Sequence, residues 1–143
     1  VMLLVDQLHL ENVIFTGRVD IISYMEKLDF TILTSISEGQ PLSVLESFAA
    51  RRPCVTTDVG CCRELLNGNE EDRYGKAGYC VPPMYREGLA QAMDQMCASR
   101  ARRLRMGENA QKRVKAYYRK EEMIEKYRKM YQEVEEADGR NRI

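Results

Sequence analysis

Short runs of apolar and β-branched residues alternate along the first part of the chain with longer stretches in which apolar residues recur at helical spacing. The short runs have the length of strands and are bounded by glycine, proline or polar residues, whereas the longer stretches have the periodicity of amphipathic helices. The pattern therefore predicts four strands, at residues 13–16, 30–34, 53–57 and 78–81.

Helices are predicted between and after these strands. Asp20 is placed to cap the first of them through Leu28, and Pro41 is expected at the first helical position of the second. The polar residues 67–77 are predicted to form a surface loop, and no strand is expected beyond Pro83. The predicted helices cover residues 20–28, 41–51, 61–67, 85–98, 100–118 and 120–136.

Strands that are apolar on both sides and separated by helices favour a parallel sheet, because parallel strands need long crossovers that place helices on the faces. The expected fold class is α/β, with a Rossmann-like parallel sheet of about four strands, helices on both faces and a C-terminal helical tail. The core is expected at about residues 1–98 and the tail at about 100–136.

One strand-to-helix loop is suited to binding an anion at the carboxyl ends of the strands, where open parallel sheets bind ligands. Gly39 permits a sharp turn after the second predicted strand, and Pro41 fixes the entrance of the next helix. The first-turn N–H groups of that helix, from Leu42 and Ser43 onward, have no intrahelical acceptor. They favour a phosphate together with the helix dipole, which contributes roughly 0.3–1 kcal/mol.

Two carboxylates flank this expected anion site. Glu38 lies on the loop and Glu46 lies in the second helical turn, eight residues later. A carboxylate beside a phosphate site can accept hydrogen bonds from vicinal hydroxyls, as an acid does on ribose in Rossmann domains. Glu46 can therefore reach ribose, while Glu38 can contact a sugar or stabilise a positive anomeric carbon. The spacing alone is weak support, since both could be surface charges, but the Gly39 and Pro41 context favours a site.

Composition and charge indicate which classes of protein are compatible with the sequence. The chain has 143 residues, 44% hydrophobic and 31% charged, as expected for one packed domain rather than a disordered segment. Lys plus Arg equals Asp plus Glu at 22 each, so net charge gives no global signal for nucleic-acid binding. Basic residues are concentrated at 100–128. A solvated helical face is the ordinary interpretation of this segment, and a contact with phosphates or anionic lipid is the alternative.

Metal and nucleophile chemistry is not favoured by the sequence. The five cysteines include no CxxC pair and His9 is the only histidine, so neither a zinc site nor a Ser-His-Asp triad within the chain is expected. The cysteines are interpreted as half-buried thiols in a reducing cytoplasm. No apolar run approaches the ~20 residues that a membrane span needs, and no signal peptide is visible.

The segment Glu38–Ala50 resembles the E-x7-E signature of glycosyltransferase family 4, whose members are retaining enzymes of the GT-B fold. The resemblance covers nearly the whole chain, because further matching segments follow in order at sensible spacings. Residues 33–42 and 62–66 are most similar to Pel-type exopolysaccharide glycosyltransferases. The further matching segments are residues 13–19, 52–60, 63–66, 78–83, 106–107 and 127–128.

The resemblance implies a role for each residue of the loop. Glu38 would be the catalytic residue that contacts the donor sugar and supports its developing positive charge, and Glu46 would bind the donor ribose. Whether Glu38 acts as a transient nucleophile or as an electrostatic partner stays open, with the second favoured. The other implied donor-binding residues are Arg18 and Val19 beside the nucleotide base, and Gly39, Gln40, Pro41, Leu42 and Ser43 along the sugar and diphosphate.

Two positions depart mildly from the family's pattern. Arg51 stands where the family often has glycine before the proline of the next strand, and Ser47 replaces the common alanine after Glu46. A larger departure concerns the Arg and Lys that clamp the diphosphate in the family. These residues are expected upstream of Val1, where the start of the chain resembles a truncation point, together with the amino-terminal acceptor domain.

By the same resemblance, the full-length protein would be a retaining hexosyltransferase that moves a sugar from a nucleotide diphosphate sugar, with UDP favoured, to an acceptor hydroxyl. No metal or cofactor is implied, because GT-B relatives stabilise the leaving diphosphate with cationic side chains and a helix start. Residues 1–143 are expected to be a partial donor-binding domain that is inactive alone. The expected setting is exopolysaccharide synthesis in the bacterial cytoplasm, with a saccharide or lipid-linked acceptor and contact to a protein complex or the inner membrane face.

Two other classes of protein remain as alternatives at this point. One is a non-catalytic nucleotide-binding or regulatory module, such as a receiver-like domain in which Asp58 after the third predicted strand would be phosphorylated. The other is an interaction domain that uses the basic tail. A receiver domain needs a further pair of acids at its first strand, and no such pair is present.

Overall fold

The computed structural model describes the backbone of residues 1–140 and the side chains of residues 1–137. A three-stranded parallel sheet forms the centre of this part of the chain. Its register aligns Thr31 with Cys54 and Cys54 with Gly78, so the three strands begin side by side. The strands, in their spatial order, are β1 Thr31–Leu33, β2 Cys54–Thr57 and β3 Gly78–Val81.

Helices cover both faces of this sheet, which confirms the predicted α/β class. The chain's helices are α1 Met2–Gln7, α2 Ile21–Met25, α3 Leu42–Ala49, α4 Cys62–Asn67, α5 Arg86–Cys97, α6 Arg100–Tyr117 and α7 Lys120–Arg140. α3 and α4 contribute to the core on one face and α5 to the core on the other, while α6 contacts both α3 and α5. Over the part of the chain described, no helix combines the length and apolar character that crossing a bilayer requires.

The central strand β2 connects the two cores. All four of its residues are buried, and successive side chains of a strand point to opposite faces of the sheet. Cys54 therefore packs with Phe48 and Leu65 on the α3 and α4 face, whereas Val55 packs with Met96 on the α5 face. This burial on both faces agrees with the absence of charged residues from the strand.

The prediction of a strand at residues 13–16 is wrong. The backbone of residues 11–19 makes no hydrogen bond to β1, and the side chain of Ile14 is 83% exposed. A short apolar run becomes a strand only when a neighbour pairs with its N–H and C=O groups. No strand among residues 1–140 pairs with this run, so the sheet has three strands instead of four.

Most predicted helix boundaries agree with the structure to within one residue, with three exceptions. Asp20 caps α2 as predicted, but the helix ends at Met25 because Leu28 donates to the carbonyl only three residues earlier. Pro41 is the N-cap of α3, with extended backbone at ψ 115°, so Leu42 is the first helical residue, and the helix ends at Ala49, two residues before its predicted end. α7 continues to Arg140, four residues beyond its predicted end.

The end of α3 is closed by a turn in which Arg51 has a φ of +60°. The N–H groups of Arg51 and Arg52 donate to the carbonyls of Phe48 and Ser47, at 3.0 and 2.8 Å, which is the Schellman pattern. The left-handed position in this pattern is usually glycine, because a Cβ there approaches the following carbonyl oxygen. Arg51, one of the two mild departures from the family's pattern, therefore occupies a position that favours glycine.

Replacing Arg51 by glycine is expected to stabilise the chain by about 0.5–1 kcal/mol, because relief of the left-handed strain exceeds the entropy that glycine adds to the unfolded state. Urea unfolding with an unchanged m value measures this difference. Arg51→Ala is the matched control, since it removes the same side chain without relieving the strain. A glycine variant that is less stable than the alanine variant would contradict the explanation.

The loop between α4 and β3 is polar, as predicted, but it contributes a buried ion pair. Arg113 on α6 is 1% exposed and pairs with Asp72 of the loop, whose side chain is 3% exposed. The Arg113 guanidinium also donates to the carbonyls of Leu65, Leu66 and Gly75, at 2.9, 3.2 and 2.6 Å. One side chain therefore connects α6, the end of α4 and the loop.

Candidate active site

The three strand ends are linked to one another at the carboxyl edge of the sheet. Thr57, the last residue of β2, donates from Oγ1 to the carbonyl oxygen of Ser35 at 2.6 Å. The N–H of Asp58 donates to the carbonyl of Val81 at 2.7 Å, and the N–H of Cys61 donates to the carbonyl of Gly39 at 3.0 Å. The loop after β1 is thus held against the segment that follows β2.

Gly60 allows this close approach. Its φ is +53°, and a Cβ built on it would lie 2.2 Å from the carbonyl oxygen of Glu38 and 2.4 Å from that of Gly39. Any other residue would therefore displace the backbone that carries the two predicted site residues. Gly60 was not predicted as a site residue, although it ends the family-like segment 52–60 and stands between a strand and a helix.

Glu38 is half-buried at the inner side of the loop. The hydroxyl of Ser35 donates to its Oε1 at 2.6 Å, which fixes the carboxylate. Burial raises the pKa of the Cys62 thiol at the start of α4, and the charge of Glu38 adds a smaller increase. Burial also raises the pKa of Cys61, against a hydrogen bond from the Gln40 side chain. Glu38 and Gln40 therefore both lie beside the start of α4.

Leu42, Ser43 and Glu46 share the exposed face of α3, opposite the buried Val44 and Phe48. Side chains of a helix tilt toward its amino end, so Glu46 leans back over the first turn, one turn from Leu42 and Ser43. The N–H groups of Leu42 and Ser43 have no protein acceptor in the described chain, and no side chain caps the helix. The amino end of α3 therefore presents free donors next to a carboxylate.

A groove of about 750 Å³ lies between the start of α3 and the last two helices. Gln40 and Leu42, both predicted donor-binding residues, form part of its wall. Three cations from the other side, Arg119, Lys120 and Lys126, also line the groove. Glu122 lines the same side and pairs with Arg119 at 3.6 Å. An anion at the amino end of α3 would therefore face Lys120, Lys126 and this ion pair across the groove.

Arg18 and Val19 are not held against this loop by hydrogen bonds or ion pairs within the described part of the chain. Both are exposed, in the segment between α1 and α2. Among the described residues, no hydrogen bond or ion pair joins either of them to residues 35–41. Their position beside a nucleotide base stays a prediction.

Ser47 and Asp58 both have structural partners. The Ser47 hydroxyl donates to the carbonyl of Arg52 at 2.9 Å and lies 2.7 Å from the Thr31 hydroxyl, so it joins α3 to β1. Asp58 forms an ion pair with Arg63, whose hydrogen bond lowers the pKa of the carboxyl group. Asp58 also accepts a weak hydrogen bond from the thiol of Cys80 at 3.5 Å. These contacts disfavour the receiver-like alternative, in which this aspartate would be free.

The cysteines are free thiols distributed from the core to the surface. Burial raises the pKa of Cys54 to about 12 and that of Cys80 to about 11, so these thiols are protonated at neutral pH. Among the described side chains, no group of three or more His, Cys, Asp or Glu residues could hold a metal ion.

An open parallel sheet and a helix start with free N–H groups at its carboxyl edge define an α/β domain with a candidate site for an anion. The chain belongs to the group 1 glycosyl transferases, because the model of that family matches residues 2–113. This match confirms the predicted glycosyltransferase family at the level of group 1, and the closer similarity to Pel-type enzymes stays a prediction.

Similar proteins of known sequence and structure agree with this assignment. The chain is 29% identical to N-acetyl-α-D-glucosaminyl L-malate synthase of Bacillus anthracis over 142 residues, which are 98% of this chain and 36% of the relative. Its fold matches sucrose-phosphate synthase of Thermosynechococcus elongatus with a TM-score of 0.84 at 24% identity, covering 95% of this chain and 34% of the other.

A third match is a TarM mutant of S. aureus that was solved in complex with fondaparinux, α-GlcNAc-glycerol and UDP. The TM-score is 0.76 at 21% identity, covering 91% of this chain and 26% of the other. The matched solved structures share the GT-B fold. The chain spans about a third of the length of the curated relative and of sucrose-phosphate synthase.

Proposed function

We propose that the chain is the donor-binding part of a retaining glycosyltransferase that transfers a hexose from a UDP-sugar to an acceptor hydroxyl. The observation that carries the proposal is the exposed amino end of α3, where the N–H groups of Leu42 and Ser43 lack protein acceptors. Such a helix start favours a diphosphate. Two related proteins support the class of donor, since one is named for an α-glucosaminyl product and the other was solved with UDP.

In this proposal each of the two glutamates contacts a different part of the donor. Glu46 leans over the first turn of α3 and accepts hydrogen bonds from ribose, as the acid of a Rossmann domain does. Glu38, held by the Ser35 hydroxyl, faces the sugar and stabilises positive charge at its anomeric carbon. Retention then follows if the leaving diphosphate assists attack by the acceptor on the same face of the sugar, with no covalent bond to Glu38.

The rest of the enzyme completes the site in this proposal. An acceptor domain provides the second wall of the cleft, and an Arg and a Lys clamp the diphosphate together with the helix start. The chain alone then binds the donor without transferring sugar. By its resemblance to Pel-type enzymes, we place the full-length protein in bacterial exopolysaccharide synthesis, at the cytoplasmic face of the membrane.

Titration of the chain with UDP tests the donor site directly. UDP is expected to shift the backbone amide resonances near Gly39 and Glu46. Replacing Glu46 by alanine should weaken UDP binding about 10- to 100-fold, because a hydrogen bond to a charged group contributes roughly 1.5–3 kcal/mol. Isothermal titration calorimetry measures this loss, and Glu70→Ala, an exposed loop glutamate, is the matched control.

Two outcomes would contradict the proposed donor site. One is equal UDP affinity of the Glu46→Ala and Glu70→Ala variants. The other is amide shifts confined to residues 100–128, which would favour an interaction domain that uses its basic tail.

A further inference from the structure

A polar pocket lies at the end of the sheet opposite the candidate donor site. Its volume is about 320 Å³. Lys76 precedes β3 and Tyr79 is the second residue of that strand, so the pocket is at the amino end of β3, whereas residues 34–41 follow the carboxyl end of β1. The residues that line the pocket are Lys76, Tyr79, Arg102, Arg105, Met106 and Asn109.

The two walls of this pocket are fixed to each other. Asn109 on α6 donates from its side-chain amide to the carbonyl of Lys76 at 2.9 Å, and Arg102 donates to the hydroxyl of Tyr79 at 3.2 Å. Met106 is buried beneath them and belongs to the core on the α5 face. The pocket is therefore a built concavity between a helix and the start of a strand.

Three cations line this pocket without a carboxylate. In the part of the chain that the structure describes, no ion pair involves Lys76, Arg102 or Arg105, although other arginines such as Arg103 and Arg113 pair with aspartates. No acidic side chain is among the lining residues. The three positive side chains repel each other around the pocket, so an anion in contact with all three side chains would lower their electrostatic energy.

The positive charge continues along the exposed face of α6. Arg100, Lys112 and Lys115 are exposed on this helix, and Leu104, which is 53% exposed, lines a neighbouring hollow together with Arg100. Glu108 is the one carboxylate of α6. A row of cations with an exposed apolar side chain fits an extended anionic surface better than a single small anion.

We propose that this pocket and the exposed face of α6 bind the phosphate groups of anionic phospholipids at a membrane surface. The inference deepens the membrane-face location proposed above and does not depend on the donor site. A membrane at the amino end of β3 leaves the carboxyl edge of the sheet accessible to a nucleotide sugar. The basic segment 100–128 thus combines structural arginines, such as Arg103 and Arg113, with a lipid-binding face.

Sedimentation with vesicles tests the proposal. The chain is expected to bind vesicles of phosphatidylglycerol mixed with phosphatidylcholine and not vesicles of phosphatidylcholine alone. The double variant Arg102→Gln with Arg105→Gln should bind the anionic vesicles about 30-fold more weakly, because each cation near an anionic surface contributes about 1 kcal/mol. The control variant Arg128→Gln with Lys129→Gln removes the same charge from α7 and should bind nearly as the parent does.

Further measurements separate the possible outcomes. An unchanged thermal midpoint shows that the pocket variant folds, and unchanged UDP titration separates this proposal from the donor-site proposal. Equal losses in the two double variants would overturn the pocket, since only net charge would then matter. Amide shifts at Arg105 with inorganic phosphate, without vesicle binding, would overturn the lipid as the source of the phosphate. Retained binding by Arg102→Lys with Arg105→Lys would support it, because lysine keeps the charge.

Discussion

Replacing Glu38 by alanine in the full-length transferase is expected to lower kcat by about 100- to 1000-fold while UDP binding changes little. The proposed role of the carboxylate is to stabilise charge that develops at the anomeric carbon, so its loss affects the transition state more than the bound donor. The structure holds this carboxylate in place through the Ser35 hydroxyl, 2.6 Å from Oε1. Release of UDP measures kcat and KM, and calorimetry measures UDP affinity.

Two companion variants separate charge from geometry at this position. Glu38→Gln keeps an acceptor for the Ser35 hydroxyl but removes the charge, so its kcat should fall nearly as far as that of the alanine variant. Ser35→Ala keeps the charge and loses one hydrogen bond, and a loss of about 2- to 12-fold is expected from roughly 0.5–1.5 kcal/mol. Turnover by Glu38→Gln equal to the parent's would remove Glu38 from catalysis. A covalent glycosyl adduct on Glu38, detected by mass spectrometry, would instead make it the nucleophile.

The fold could be predicted where burial determines the sequence pattern. β2 is fully buried and β3 is partly buried at the edge of the sheet, and the apolar and β-branched runs at residues 53–57 and 78–81 predict both strands correctly. The run at residues 13–16 is likewise rich in apolar and β-branched residues, but strand formation also depends on a partner for the backbone, which a local pattern does not encode. The end of α3 illustrates a related limit, because Arg51 adopts a left-handed backbone conformation that is unfavourable for residues other than glycine.

The candidate site could be predicted from the spacing of residues within one loop, but the contacts that hold this loop in place could not. Gly39, Pro41 and the two glutamates are close in sequence, so strand-to-helix geometry alone indicates a phosphate site between them. Gly60 and Cys61, which hold the loop from the next strand, are about twenty residues away along the chain. Such contacts arise from the pairing of β1 with β2, and only the folded sheet shows them.

The burial of Arg113 could not be predicted from its neighbours in the sequence. This residue belongs to a basic helix, where a solvated charge is the ordinary interpretation, and Asp72 belongs to a polar loop. Their association forty-one residues apart depends on where the loop crosses α6. The pair is thus a structural element of the segment that the sequence indicated as a possible phosphate contact.

Replacing Arg113 by methionine is expected to destabilise the chain by about 3–5 kcal/mol, because the buried carboxylate of Asp72 then has no counter-ion. The carbonyls of Leu65, Leu66 and Gly75 lose their donor as well. Urea unfolding, with the midpoint and the m value both recorded, measures the loss. The double variant Arg113→Met with Asp72→Asn completes a double-mutant cycle and should recover part of the stability, since it removes the unpaired charge.

The pH dependence of stability distinguishes a lost ion pair from a packing defect at Arg113. In the parent, burial favours a higher pKa for Asp72, but the hydrogen bonds from Arg113 and from the N–H of Tyr74 outweigh it and hold the pKa below the usual 3.8. A lowered pKa in the folded state gives stability that is present above 3.8 and is lost as the pH falls through the folded value. Without Arg113, burial dominates and raises the pKa of Asp72, so the contribution of this residue should reverse and the variant should gain stability relative to the parent as the pH falls. A stability difference between parent and variant that stays constant across this acidic range would show that Arg113 acts through packing and its carbonyl contacts alone.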